Sequence, residues 1–226
     1  LKRSLSQRNE PQQRICVTFS RGEELKYITH LDLMRLWHRA LRRAGMPLAY
    51  SQGFNPQPRI AIAAPLAVEI TSDGELMDIF LQRRVSLDFF AKAVSEQLPQ
   101  GIGIKGLKEL WPGLPSLQSQ LRSAEYRVQI ESERTPESVE NAIRALLELK
   151  TLPWEHSRGE SKHRYDLREL IIDIWIIAHT PPIYTLGMRL RNDAGGSGRP
   201  DQVLLALGFT EPARSIHRTR LIMGTD

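Results

Sequence analysis

Arg14-Ile-Cys-Val-Thr-Phe-Ser20, followed after a short polar stretch by Thr29-His-Leu-Asp-Leu-Met-Arg-Leu-Trp-His-Arg-Ala-Leu-Arg-Arg-Ala-Gly45, decides how the rest of this chain is read. In the first piece Ile15, Val17 and Phe19 alternate with Cys16, Thr18 and Ser20, the period-2 pattern of a half-buried strand. The second changes period. Leu33, Leu36, Trp37, Ala40, Leu41 and Ala44 recur every three to four residues, which predicts a helix with one apolar face. Thr29 and Asp32 form a capping box at its start. Gly45 and Pro47 end it.

Working outward, Ser51-Gln-Gly-Phe-Asn-Pro-Gln-Pro-Arg59 is a dense turn segment. Two strands are predicted next, over Arg59 to Leu66 and Glu75 to Arg83, joined by a turn at Thr71-Ser-Asp-Gly74. Ser86 caps a second helix to about Leu98, and Ile102 to Leu110 is a closing strand. The order β-α-β-β-α-β is that of a ferredoxin-like unit. Residues 111–123 contain two prolines and a glycine and are predicted as a linker. Strand and helix patterns then restart: a strand over Ala124 to Glu131, and a helix opened by Thr135-Pro136 that runs to about Leu149. A short strand candidate covers Leu152 to Arg158. Leu170 to Ala178 is apolar on both faces, as a central strand covered on both sides would be. Tyr184 to Arg191 alternates cleanly, Pro200 opens a short helix, and Ser215 to Met223 closes the chain. The expected fold is α+β with two ferredoxin-like halves, the second a variant with an extra strand. The expected division is a flexible lead-in at 1–13, a first domain at 14–110, a linker at 111–123 and a second domain at 124–226.

Composition narrows the chemistry. The 226 residues are 41% hydrophobic and 25% charged, the mix of a globular protein. No apolar run approaches the roughly 20 residues of a membrane helix. The polar N-terminus lacks the apolar segment of a signal peptide. The chain starts at Leu1 rather than Met, as a piece of a longer protein would. With Cys16 as the single cysteine, a disulfide framework and a four-cysteine zinc site are excluded, and so is an iron–sulfur cluster held by this chain alone. The six histidines show no ligand spacing, so neither a metal nor a cofactor is expected. Net charge is +5, with basic zones over 1–59 and 156–220 separated by an acidic middle. That distribution suits an anionic partner such as RNA.

Three candidate sites follow. Arg35, Arg39 and Arg42 lie at i, i+4 and i+7 on the first helix, flanked by His38 and Arg43, with no acid between Arg35 and Gly45. Such a stripe can track phosphates. In the turn segment, which Ser51 opens and Arg59 ends, Gly53 permits close backbone approach, and Gln52, Asn55 and Gln57 offer directional donors and acceptors. The third is a C-terminal basic cluster: Arg164, Arg168, Arg189, Arg191, Arg199, His217, Arg218 and Arg220. His30 and Asp32, two apart on a helix, point about 200° from each other and cannot share a ligand. His30 alone can still serve as a donor or acceptor. Gly196-Ser-Gly-Arg-Pro-Asp201 is similar, over a short spacing, to the active-site loop of pseudouridine synthases, though a proline intervenes and an ordinary helix start explains it as well.

The chain also resembles a known family. His30-Leu-Asp-Leu-Met-Arg35, Arg39-Ala-Leu-Arg-Arg-Ala-Gly45, Pro47-Leu-Ala-Tyr-Ser-Gln-Gly-Phe-Asn-Pro-Gln-Pro-Arg59 and Ala64-Pro-Leu66 carry the resemblance. Ala124-Glu-Tyr-Arg127, Tyr165-Asp-Leu-Arg168, Gly198-Arg-Pro-Asp201 and His217-Arg-Thr-Arg220 extend it. Together they resemble the radical-SAM-linked domain family, a domain of unknown function fused to or encoded beside radical S-adenosylmethionine proteins. The resemblance implies a bacterial, cytosolic protein with a radical SAM protein or domain as partner and a role around RNA maturation. Residues 1–13 would then be the remains of a junction. The expected function is an RNA-facing or substrate-presenting accessory module, non-catalytic by itself. A second reading is a stand-alone RNA-processing enzyme, because tandem ferredoxin-like halves around a basic cleft are similar to CRISPR repeat-processing endoribonucleases, with His30 as general base. A third is a protein-binding scaffold.

Overall fold

A computed structural model describes residues 11–158 and 161–224. The first ten residues of the expected lead-in lie outside the described ones. The chain is a mixed α/β fold that divides into two compact units, residues 1–120 and 121–226. Among the described residues no helix is long and apolar enough to cross a membrane.

The first unit runs β1 (Gln13–Arg21), α1 (His30–Arg43), β2 (Ile60–Ile62), β3 (Ile70–Leu81), α2 (Leu87–Ser95), β4 (Ile102–Leu110) and a short α3 (Leu117–Gln120). Its ladders are antiparallel and place the strands in the order β4-β1-β3-β2, with Val17 opposite Met77 and Leu107, and Ile62 also opposite Met77. Alternation along β1 sends Ile15, Val17 and Phe19 into a core shared with Leu33, Trp37 and Leu41 of α1 and Phe90 and Val94 of α2. Phe19 meets Trp37 edge-on at 5.0 Å. Thr29 caps α1 by accepting from the Asp32 amide at 3.2 Å. Gly45 takes the left-handed conformation (φ 67°) that lets Met46 bond back to the Leu41 carbonyl.

Several expectations need correction here. Gln13, assigned to a flexible lead-in, is buried in β1. β2 is three residues rather than eight. Thr71 to Gly74, expected as a turn, belongs to β3, because β1 continues past a bulge to pair Arg21 with Ser72. Within 111–123 lie all of α3 and the first residues of the next strand.

The second unit runs β5 (Leu121–Glu131), α4 (Pro136–Glu148), β6 (Pro153–Arg158), β7 (Ser161–Asp166), β8 (Ile171–Thr180), β9 (Ile183–Asp193), β10 (Gly196–Ser197), α5 (Pro200–Ala206) and β11 (Ser215–Met223). Antiparallel ladders set the order β11-β5-β9-β8, with β10 also on β9 and β6–β7 forming a separate hairpin. Tyr184, Leu186, Met188 and Leu190 of β9 and Ala124, Tyr126, Val128 and Ile130 of β5 alternate into the core. β8 is not the doubly covered strand its composition predicts. It hydrogen-bonds to β9 alone within this unit, and its register slips between Ile171 and Asp173 and between Ile176 and Ala178. Ile172 and Ile177, the extra residues at these slips, are each 49% exposed.

Candidate nucleic-acid interface

At 100° per residue, Arg35, Arg39 and Arg42 fall within about 60° of α1's circumference and Arg43 about 40° further round, opposite the face carrying Leu33, Trp37 and Leu41. All four side chains are exposed. Arg35 makes an exposed ion pair with Asp32 at 3.3 Å. The Asp32 carboxyl, whose ordinary pKa is lowered first by its hydrogen bond from the Thr29 hydroxyl and then by Arg35, is already occupied as a cap. Among the described residues Arg39, Arg42 and Arg43 have no acidic partner. Arg39 and Arg43 line an open groove of about 650 Å³ between α1 and the end of α2, together with Leu36, Gln97, Pro99 and the acids Asp32 and Glu96. His38, beside the stripe, is pushed below its ordinary pKa by burial first and by Arg42 second. Its Nε2 and the Nδ1 of His30 are buried without a hydrogen-bond partner, so nothing orients either imidazole as a base.

The turn segment is a tied loop. Ser51 N–H donates to Gln57 O at 2.8 Å, the Gln57 N–H donates to Ser51 Oγ at 3.0 Å, and Arg59 N–H donates to Ala49 O at 2.8 Å. Ser51 is therefore a latch rather than a ligand group. Gly53 has φ 134° and open space where a Cβ would stand, so glycine is needed there for backbone conformation and not for close approach. Beyond the latch, Gln52 and Asn55 have no side-chain hydrogen bonds among the described residues, and Phe54 at the tip is fully exposed. The guanidinium of Arg59 lies over the Phe80 ring at 4.6 Å, with that of Arg14 also over it at 5.5 Å.

The C-terminal arginines do not assemble into an open basic patch. Arg168 donates to the carbonyls of Leu147 and Ile171, closing the end of α4. Arg189 and Arg220 both grip Glu125, at 2.6 Å each. Arg191 holds Asp193 at 2.8 Å and Arg199 holds Asp201 at 2.9 Å. Arg164 pairs with Glu155 at 2.9 Å on the exposed β6–β7 hairpin. Arg218 is 1% exposed and unreachable by a phosphate. The Arg199–Asp201 pair joins a helix's flanking residue to its first turn, an arrangement that needs no catalytic explanation.

One feature of the first unit escaped sequence reasoning. Arg14 and Asp78, 1% and 2% exposed, form a bidentate pair at 2.9 and 2.6 Å, and Arg14 also donates to the carbonyls of Leu114 and Pro115. Its signal is Asp78 set inside the otherwise apolar run Leu76-Met-Asp-Ile-Phe80. Such an acid must find a cation. Cys16 sits opposite Asp78 on β1. Burial first, and Asp78 second, push its thiol up to about 11. Among the described residues no three His, Cys, Asp or Glu side chains gather as a metal-binding group.

No curated protein matches the sequence. Among solved structures, a chain of the "Crystal Structure of a Cbf5-Nop10-Gar1 Complex" is similar over 97% of this chain and 51% of its own, at 12% identity and a TM-score of 0.51. A chain of the "Structure of H/ACA RNP bound to a substrate RNA containing 2'-deoxyuridine" matches 97% of this chain and 50% of its own, at 13% identity and a TM-score of 0.45. The chain thus spans about half the length of the solved chains it resembles. Residues 14–200 match the family described as "Uncharacterized protein conserved in bacteria (DUF2344)", and the chain belongs to that family.

Proposed function

We propose that this chain is an RNA-facing accessory module, non-catalytic by itself, that lays the α1 arginines along a phosphate backbone. The observation that carries this reading is the partition of its arginines. Arg39, Arg42 and Arg43 lie together, exposed and without an acid, whereas the C-terminal arginines are buried, paired or bonded to carbonyls. Backbone contacts of this kind give affinity without sequence information. We further read both units as ferredoxin-like, supported by matching strand orders: β4-β1-β3-β2 in the first and β11-β5-β9-β8 in the second, where the β6–β7 hairpin is an insertion. The partner implied by the resemblance is a radical SAM protein, which would supply the cluster thiolates that a chain with one cysteine lacks.

The test is salt-dependent binding of labelled RNA to the protein and to its Arg39→Gln/Arg42→Gln/Arg43→Gln variant. Glutamine keeps helix propensity, so circular dichroism should not change. On a single strand, losing three phosphate contacts lowers the slope of log affinity against log salt by roughly 2, about 0.7 per contact. An Arg144→Gln/Lys150→Gln control should keep the parent slope. A parent slope in the α1 variant would remove the basis of the reading. Cleavage of the RNA without added metal would replace it by a processing enzyme, and no RNA binding at all by a scaffold. Co-purification of a tagged chain with a radical SAM protein tests the partner separately.

A further inference from the structure

The sheet of the second unit has a face turned away from its buried core. Tyr184, Leu186 and Met188 of β9 point into that core, so Thr185, Gly187 and Arg189 point the other way. Directly paired residues of antiparallel strands share a face. Gly187 is paired with Arg127 on β5 and with Trp175 on β8, and Arg189 with Glu125, which is paired with Arg220 on β11. The outer face thus carries Trp175, Arg127, Arg189, Arg220, Glu125 and Asp173.

Gly187 explains how Trp175 sits. A Cβ built on Gly187 would overlap Cε2, Cζ2 and Nε1 of the indole. Because a strand's Cβ points out of the sheet, the ring occupies the space directly above the Gly187 backbone. The indole therefore packs over the Gly187 backbone, and Trp175 remains half-buried rather than fully covered. Around it the cations outnumber the acids. Arg189 and Arg220 both cover Glu125, whose carboxyl they hold below its ordinary pKa. Arg127 is exposed and has no acidic partner among the described residues. Asp173 is the remaining acid, and one of its oxygens accepts from the Ile174 amide.

From this geometry we infer that the outer face of the second unit is a stacking platform for an unpaired nucleotide of single-stranded nucleic acid, with Trp175 under the base and the unpaired Arg127 beside its phosphate. An aromatic ring packed on a sheet among arginines is how sequence-tolerant single-strand binding is built. Neighbouring strands are about 4.8 Å apart and alternate residues along a strand roughly 6.8 Å, so a long arginine side chain on an adjacent position reaches beside one stacked base. This inference adds a second contact surface to the RNA reading of α1 and rests on that reading only for the class of ligand.

The experiment is fluorescence anisotropy of a labelled 12-nucleotide oligouridylate RNA against the full chain. Trp175→Ala should weaken binding about 5- to 150-fold, the loss of one stacked base, without changing the salt slope. Trp175→Phe should recover most of the affinity, because a smaller ring still stacks. Arg127→Gln should lower the slope by about 0.7. Gly187→Ala, which displaces the indole, should act like Trp175→Ala, and Trp111→Ala, an exposed tryptophan elsewhere, should act like the parent. Circular dichroism confirms that each variant is folded. If Trp175→Ala and Arg127→Gln bind like the parent while the α1 variant fails, the platform is wrong and the α1 reading stands. If Trp175→Ala fails while the α1 variant binds normally, the α1 reading falls and the platform stands. A parent that binds no RNA sinks both, and self-association abolished by Trp175→Ala would reassign the face to protein.

Discussion

Removing Arg14 alone should damage the first unit more than removing Arg14 and Asp78 together. In Asp78→Ala, Arg14 keeps its bonds to Leu114 O at 2.6 Å and Pro115 O at 2.9 Å but loses its two bonds to the carboxylate, with its charge still buried. Breaking a buried pair from one side costs about 3–5 kcal/mol, because the surviving charge is uncompensated. With a urea m-value of about 2 kcal/mol/M, the unfolding midpoint should fall by about 2 M. The double variant Arg14→Met/Asp78→Val buries no charge, but it leaves the two carbonyls without their donor, for about 1–3 kcal/mol each at most. It should therefore unfold at a higher urea concentration than Arg14→Met, which leaves the carboxylate stranded as well. Urea titrations followed by tryptophan fluorescence measure all three. Limited proteolysis with a protease of broad specificity gives a second readout, since the segment around Leu114 and Pro115 should become more readily cut once Arg14 no longer holds its carbonyls. A loss below 1 kcal/mol in Asp78→Ala, or a double variant whose cost is the sum of the singles, would refute the reasoning.

Four further outcomes follow from the same geometry. Iodoacetamide should label Cys16 slowly at pH 8, with a rate still rising above pH 9, because the thiol titrates near 11 rather than 9.0; Asp78→Asn should move that midpoint down, and a plateau before pH 9 would contradict the burial. Glu125 is held below its ordinary pKa by Arg220 and then Arg189, so its contribution to stability is present above about pH 4.5 and lost as pH falls through the folded value; Glu125→Gln should flatten the acid limb of a stability–pH curve. Gly45→Ala forces an L-residue to φ 67° and should cost about 1–2 kcal/mol in urea unfolding, with no loss of helical signal from α2. Phe54→Ser should leave stability within about 0.5 kcal/mol of the parent, because the ring touches nothing that folding buries.

What could be read from sequence was whatever neighbours along the chain decide. Thr29, the three-to-four spacing of Leu33 to Ala44 and Gly45 define α1, and the same local signals mark the caps at Ser86 and Thr135. What failed depended on partners far along the chain. Thr71 to Gly74 has turn composition, yet β1 reaches past a bulge to pair with it. The run Ile171 to Ala178, broken only by Asp173, is apolar for three separate reasons: Ile171 and Ile174 enter the core, Trp175 covers Gly187, and Ile172 and Ile177 fall at register slips. Composition cannot tell that arrangement from double burial. The same limit governed the arginines. Glu125 meets Arg189 and Arg220 from 64 and 95 residues away, so a cluster counted along the sequence looked uncompensated when its members were paired.

Pairing is also what separates recognition from chemistry in this chain. A general base must be oriented by a second group and a nucleophile activated by one. Cys16 is moved the wrong way, toward the protonated thiol, and His30 and His38 each have a buried ring nitrogen that nothing addresses. Among the described residues, exposed groups without an acidic or hydrogen-bonded partner are of another kind: guanidinium groups at Arg39, Arg42, Arg43 and Arg127, the amides of Gln52 and Asn55, and the ring of Phe54, to which the half-buried Trp175 over Gly187 adds a second aromatic surface. Guanidinium groups meet phosphates, amides meet base edges, and flat rings meet bases. On the reading proposed above, a surface supplied with those three would hold a nucleic acid for another protein to act on. That reading expects Trp175→Ala and the α1 triple variant each to lower affinity for RNA.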